Sequence, residues 1–144
     1  MDYESLLNLA KKFRNAIDLA QYEIPCGDRM RNFPKGCCDD AADLFAFFLY
    51  ERYGVLSTIV DGKYIGRNPE DDDWHTWLEV NGYIVDLVAE YYHLFYNDIF
   101  VGTTDDFHRR YETKKQSYRG FIDLGIDCQK RMEDLYSHIV GHMS

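Results

Sequence analysis

Basic residues are scarce in this 144-residue chain: Lys and Arg number 16 against 25 Asp and Glu, giving a net charge of −9 and a pI near 4.9. That balance excludes nucleic acid and anionic membranes as expected partners, and suits a neutral or basic substrate. No apolar run reaches membrane-spanning length. Met1 to Gln21 carries Lys11, Lys12 and Arg14 inside a polar-faced helical pattern, which does not read as a secretory signal. A cytoplasmic, thiol-reducing location is therefore expected, with a secreted effector or toxin role left open. The four cysteines include no C-x-x-C pair, which gives little support to a zinc knuckle or a redox dithiol. There are only three prolines, and no repeats, low-complexity tracts or linkers, so residues 1–144 are expected to form a single domain. Nothing in the pattern speaks to oligomeric state.

What the chain does have is material for a core: 46% hydrophobic residues and 16% aromatics. Leu6, Leu9, Ala10, Phe13, Ile17 and Ala20 recur at helical spacing and predict a helix over Tyr3 to Gln21. "YEIPCGDRMRNFPKG" holds two of the prolines and predicts an irregular loop. A second helix is predicted over Cys38 to Tyr53, with Ala41, Leu44, Phe45, Phe48 and Leu49 buried and Gly54 as its C-terminal cap. "VLSTIVDGKY" reads as a strand, "IGRNPEDDD" as a polar loop and "YNDIFVG" as a further short strand. Helical pieces are predicted from Thr104 to Lys115 and from Ile122 to Val140. This order predicts an α+β fold with a small antiparallel sheet.

"HTWLEVNGYIVDLVA" is the clearest hairpin, because Asn81-Gly82 suits a tight type I′ turn. A two-residue turn pairs Val80 with Tyr83, Leu78 with Val85, Trp77 with Asp86 and His75 with Val88. Leu78, Val80, Val85 and Leu87 then share the core face. His75, Trp77, Glu79, Ile84, Asp86 and Val88 share the other. His75 and Asp86 become diagonal neighbours, with Cβ atoms roughly 7 Å apart, close enough for an imidazole–carboxylate hydrogen bond. Such a bond fixes the tautomer and aims the ring's other nitrogen outward as a base.

A nucleophile is available in "KGCCDDAADLF". A thiol at a helix N-terminus meets unpaired N–H groups and the positive end of the dipole, which favour the thiolate. Cys38 lies nearer those groups than Cys37, which is expected to pack behind them. Asp39, Asp40 and Asp43 oppose activation if they stand close to the sulfur. A cysteine, a histidine and an orienting acid are the parts of covalent thiol catalysis. Asn32, six residues before Cys38, is a weaker candidate for an oxyanion donor beside the Cys38 N–H.

At these residues the chain resembles the papain-like and transglutaminase-like superfamily of cysteine enzymes. It is most similar to small bacterial proteins with a G-C-C helix start, an H-A-W-L-E strand and a D-x-T-A-D-Q-F strand. Here these are Gly36-Cys37-Cys38, "HTWLEV" from His75 and "DLVAEYY" from Asp86, while "DIFVGTTDDFHRRY" looks like the group's next strand and helix. Thr76 replaces the Ala, and the Thr and Gln of the last motif are missing. The resemblance implies a Cys38-His75-Asp86 triad that acts on amide bonds of a peptide or protein, as a peptidase or glutamine deamidase needing no cofactor. A transglutaminase, and a non-catalytic binding module of the same fold, are the alternatives. A zinc site using Cys37 or Cys38 with His75 has poor ligand number and spacing. His93, His108, His138 and His142 read as surface or packing residues, Cys26 and Cys128 as structural, and "EDDDW" as a solvated loop.

Overall fold

The computed structural model describes residues 1–64, 74–89, 98–118, 120–121 and 125–143. The "IGRNPEDDD" loop, His93 and the expected helix start at Ile122 lie outside them. Among the described residues, three α-helices and a five-stranded antiparallel sheet make an α+β fold. Helix α1 (Tyr3–Ala20) starts where the Asp2 carboxylate accepts the Ser5 N–H at 2.8 Å, and buries Leu6, Ala10, Phe13, Ile17 and Ala20. The proline-bearing loop follows, with short 3₁₀ turns at Gln21–Glu23 and Arg29–Asn32. Helix α2 (Cys38–Tyr53) ends at Gly54, whose φ of 64° supplies the left-handed cap.

Strands β1 (Thr58–Tyr64), β2 (Trp74–Val80), β3 (Tyr83–Asp86), β4 (Phe100–Gly102) and β5 (Tyr111–Ser117) lie in the order β4-β3-β2-β1-β5. The β2–β3 turn has positive φ at both Asn81 (50°) and Gly82 (81°), as a type I′ turn demands. It sets the register Leu78↔Val85, Glu79↔Ile84 and Val80↔Tyr83. Ile59, Leu78, Val80, Val85 and Val101 join the helices in one core. Each buried Leu or Ile there contributes about 1.5–3 kcal/mol. The opposite face carries a smaller cluster of Val60, Trp77, Phe107 and Tyr111.

Two expectations fail in the last third. Residues 104–115 hold no α-helix: a 3₁₀ turn at His108–Arg110 leads directly into β5, which pairs with β1 over its whole length. "YETKKQS" is almost entirely exposed beyond Tyr111, so alternation on an edge strand leaves little apolar signal to read. Helix α3 (Ile126–Val140) begins at Ile126 because Gly125, at φ 85°, stands outside it as the N-cap. Val88 also departs from expectation: β3 ends at Asp86, and Val88 turns into the main core. Among the described residues, no helix is long and apolar enough to cross a membrane.

Candidate active site

The start of α2 is held by charge. Asp40, in its first turn, is 3% exposed, and its carboxylate is gripped by Arg29 and by Arg131 of α3 (Nη2 to Oδ2, 2.9 Å). Arg131 also spans Asp28 with two bonds of 2.7 and 2.9 Å. Burial alone would raise the Asp40 carboxyl; the hydrogen bonds from Arg29 and Arg131 outweigh it and hold the group below its ordinary value. One of the three acids that could oppose a thiolate is thus neutralised, and Asp39 lies exposed. Asp43 is half-buried. Burial, with the charges of Asp39, Asp40 and Asp61, pushes its carboxyl up to about 7.

The two adjacent thiols separate sharply. Cys37 is fully buried, and burial, with the Asp40 charge, pushes it up to about 12, where it is inert at neutral pH. Cys38, the first residue of α2, is half-buried and lies close enough to His75 to act on the charge of its ring.

His75 and Asp86 are both completely buried, and His75 Nε2 lies 2.5 Å from Asp86 Oδ2. Asp86 Oδ1 accepts the Val88 N–H at 3.0 Å. The next residue is pinned too, because Arg14 of α1 donates to the Leu87 carbonyl at 2.7 Å. Nε2 is the ring nitrogen of His75 committed to Asp86. Burial by itself favours the neutral ring. The charge and hydrogen bond of Asp86, then the hydrogen bond and charge of Cys38, outweigh it and raise His75 from 6.5 to about 9. Burial would raise Asp86; the charge of His75 and the hydrogen bonds from His108 and His75 hold it far below the usual carboxylate range.

His108 was expected at the surface or in packing. It is 4% exposed, with Nε2 2.7 Å from Asp86 Oδ2 and Nδ1 2.7 and 2.8 Å from the two oxygens of Asp105. The signal available in the sequence is the spacing Asp105-x-x-His108, which brings a carboxylate back onto its own turn. His75, Asp86 and His108 place three donor atoms within 4.8 Å of one another, so among the described residues they are the group that could hold a metal. The N···O distances of 2.5 and 2.7 Å are those of shared protons. Two ligands on one tetrahedral zinc, each about 2.0–2.1 Å from it, would stand roughly 3.3 Å apart.

Other candidates fall away from the centre. Asn32 is exposed, and its side chain makes no hydrogen bond among the described residues. It ends a 3₁₀ turn whose carbonyl takes the Lys35 N–H. Cys26 and Cys128 are exposed rather than structural: one follows Pro25 in the loop, the other faces outward on α3. His138 and His142 meet Glu23 at the surface. A cavity of about 510 Å³ is lined by Met1, Asn8, Leu9 and Tyr53 and touches none of the site residues. A smaller one, about 200 Å³, reaches His108 from the outer sheet face. Searches against protein-family models, curated proteins and solved structures find no match to this chain.

Proposed function

We propose that this protein is a thiol hydrolase of papain-like or transglutaminase-like type, acting on amide bonds of a peptide or protein as a peptidase or glutamine deamidase. The observation that carries the reading is a fully buried His75 bound to Asp86 through one ring nitrogen, with Cys38, at the start of a helix, close enough to help hold the ring above its ordinary pKa.

The Cys38 thiolate attacks the amide carbonyl carbon, and the carbonyl electrons move onto oxygen, where N–H groups of the helix start receive them. The tetrahedral intermediate collapses, the C–N bond breaks, and the imidazolium of His75 delivers its proton to the departing nitrogen. A thioester remains. His75 then takes a proton from water as that oxygen attacks, the C–S bond breaks, and the acid leaves with the Cys38 thiolate restored. Asp86 keeps its proton count throughout and holds the ring in one tautomer. If an amine replaces water in the second half, the same site is a transglutaminase.

Alkylation by iodoacetamide across pH, read by peptide mass spectrometry, tests this directly. Exposed Cys26 and Cys128 serve as internal unassisted thiols. At pH 6 Cys38 is expected to react faster than either by on the order of tenfold or more, and His75→Ala should remove the difference. If Cys38 tracks the two reference thiols at every pH, and His75→Ala changes nothing, the site is no thiol enzyme and the binding-module reading takes its place. A peptide pool containing Gln and Lys, analysed by mass, then separates cleavage, deamidation and cross-linking.

A further inference from the structure

An acid that orients a histidine must itself be oriented, and Asp86 has a second histidine on the same oxygen. Oδ2 lies 2.5 Å from His75 Nε2 and 2.7 Å from His108 Nε2. The His108 ring is fixed in turn. Its Nδ1 faces both oxygens of Asp105, its own N–H donates to Asp105 Oδ1 at 2.8 Å, and its faces and edges meet Trp77, Phe107 and Phe100 at centroid distances of 4.8, 5.0 and 5.3 Å. The result is one hydrogen-bonded chain, His75–Asp86–His108–Asp105, with its first three members buried, Cys38 near its His75 end and a cavity at its His108 end.

We infer that His108 is a positioning residue for the proposed thiol chemistry, clamping the orienting Asp86 from the side opposite His75, with Asp105 as its own anchor. This rests on the thiol-enzyme reading. Two features support it beyond packing. An apolar ring would fill the same space, but Asp86 Oδ2 would then have a single donor and could follow His75 as the ring rocks. With a carboxylate at each nitrogen, His108 also ties Asp86 to Asp105, so the clamp is itself anchored to the segment ahead of β5. The ionisable groups around this ring among the described residues are Asp86 from β3, His75 from β2 and Asp105 from its own segment, with Cys38 beyond His75.

The test is the pH profile of Cys38 alkylation in the full-length protein, wild type against His108→Phe, His108→Gln and Asp105→Asn. For His108→Phe, the onset of reactivity should move up toward that of Cys26, and the rate at pH 6 should fall on the order of tenfold. His108→Gln keeps an N–H donor near the Nε2 position and should recover much of the rate; Asp105→Asn should move the onset in the same direction by less. A folded His108→Phe with the wild-type profile, or a Gln variant no better than Phe, overturns the inference. Where His108→Phe fails to fold by circular dichroism, Asp105→Asn decides, and a wild-type profile there overturns it equally. The two readings fail separately. If wild type and His75→Ala are indistinguishable, the thiol enzyme itself is lost. If they differ while the His108 and Asp105 variants match wild type, only the positioning role is lost.

Discussion

The two faces of the sheet are built from the same strands and spend their residues differently. Toward the helices, β1, β2 and β3 present Ile59, Leu78, Val80 and Val85 to the main hydrophobic core. Toward the other side the same strands present Val60, His75, Trp77 and Asp86, covered by Phe107, His108 and Tyr111. Both faces are buried, but the buried ionisable residues of the strands themselves, His75 and Asp86, lie on the second, at positions that alternate one residue out of step with the core. A buried unpaired charge costs several kcal/mol, so His75, Asp86 and His108 are tolerable only as a set. One face accordingly supplies stability, and the other holds a polar cluster that stability must support.

The sharpest break is at Asp86. Asp86→Ala leaves two buried histidines without their shared acceptor, and is expected to cost about 3–5 kcal/mol and to abolish the alkylation advantage of Cys38. Urea unfolding and the alkylation profile measure the two effects. On the helical face, Leu78→Ala opens a cavity and should cost about 2–5 kcal/mol. It should leave the pH profile of surviving folded protein unchanged, because Leu78 points away from His75. A shifted profile in Leu78→Ala would mean that the faces are not separable.

The pH dependence of stability separates them again. His75 has its pKa raised from 6.5 to about 9 on folding. The stability it contributes is therefore complete below about pH 6.5 and is lost as pH rises through about 9. Asp43 is also raised, from 3.8 to about 7, so its contribution is present below 3.8 and already gone above about 7. A fall in unfolding free energy between pH 7 and 8.5, on the order of 1 kcal/mol or more, is thus assigned to His75 and should flatten in His75→Gln, because the Cys37 thiol, raised from 9.0 to about 12, adds its own loss mainly above about pH 9. An unchanged slope in that variant would remove the ion-pair account.

How much of this the sequence discloses follows the same division. The Asn81-Gly82 turn fixes the hairpin register, and that register alone predicts the His75–Asp86 neighbours and the aliphatic face. Helix α2 and its Gly54 cap are legible from periodicity and from one glycine. β5 is not, because an exposed edge strand of Glu, Thr, Lys and Gln has no apolar rhythm and its identity comes from pairing with β1. That misreading hid His108, whose position depends on where β5 begins. The arginine grip on Asp40 was equally hidden, since Arg131 lies 91 residues away in the chain. Long-range partners of single charged residues leave no local trace.

Gly62 offers a smaller test of how tightly the outer face is filled. A Cβ there would lie 2.8 Å from Tyr111 Cβ and 3.0 Å from the Trp77 ring. Tyr111 Cβ is fixed by the β1–β5 ladder and cannot swing aside. Gly62→Ala is therefore expected to cost about 1–3 kcal/mol, with Trp77 forced off its present position. Tryptophan fluorescence should report that movement, although Trp74 contributes a constant exposed signal. A neutral Gly62→Ala with unchanged emission would show the cluster to be loosely packed.

The smallest effect is expected at Cys37, and it bears on why two thiols stand together. Cys37 is sealed in the main core, and its thiol, pushed up to about 12 by burial, stays protonated at any pH at which the protein works. Cys38 is one residue further on, half-buried, and near enough to His75 to act on its ring. Cys37→Ala removes one sulfur from a packed site and should cost about 1 kcal/mol, near the value of one buried methylene-sized group. The alkylation profile of Cys38 should not move. Because the two positions are neighbours in sequence yet belong to opposite environments, this variant asks whether reactivity follows the thiol's surroundings or its mere place at the helix start. A profile that shifts with Cys37→Ala would mean that Cys37 takes part in the chemistry, and the division between core and site would have to be redrawn through the middle of "GCC".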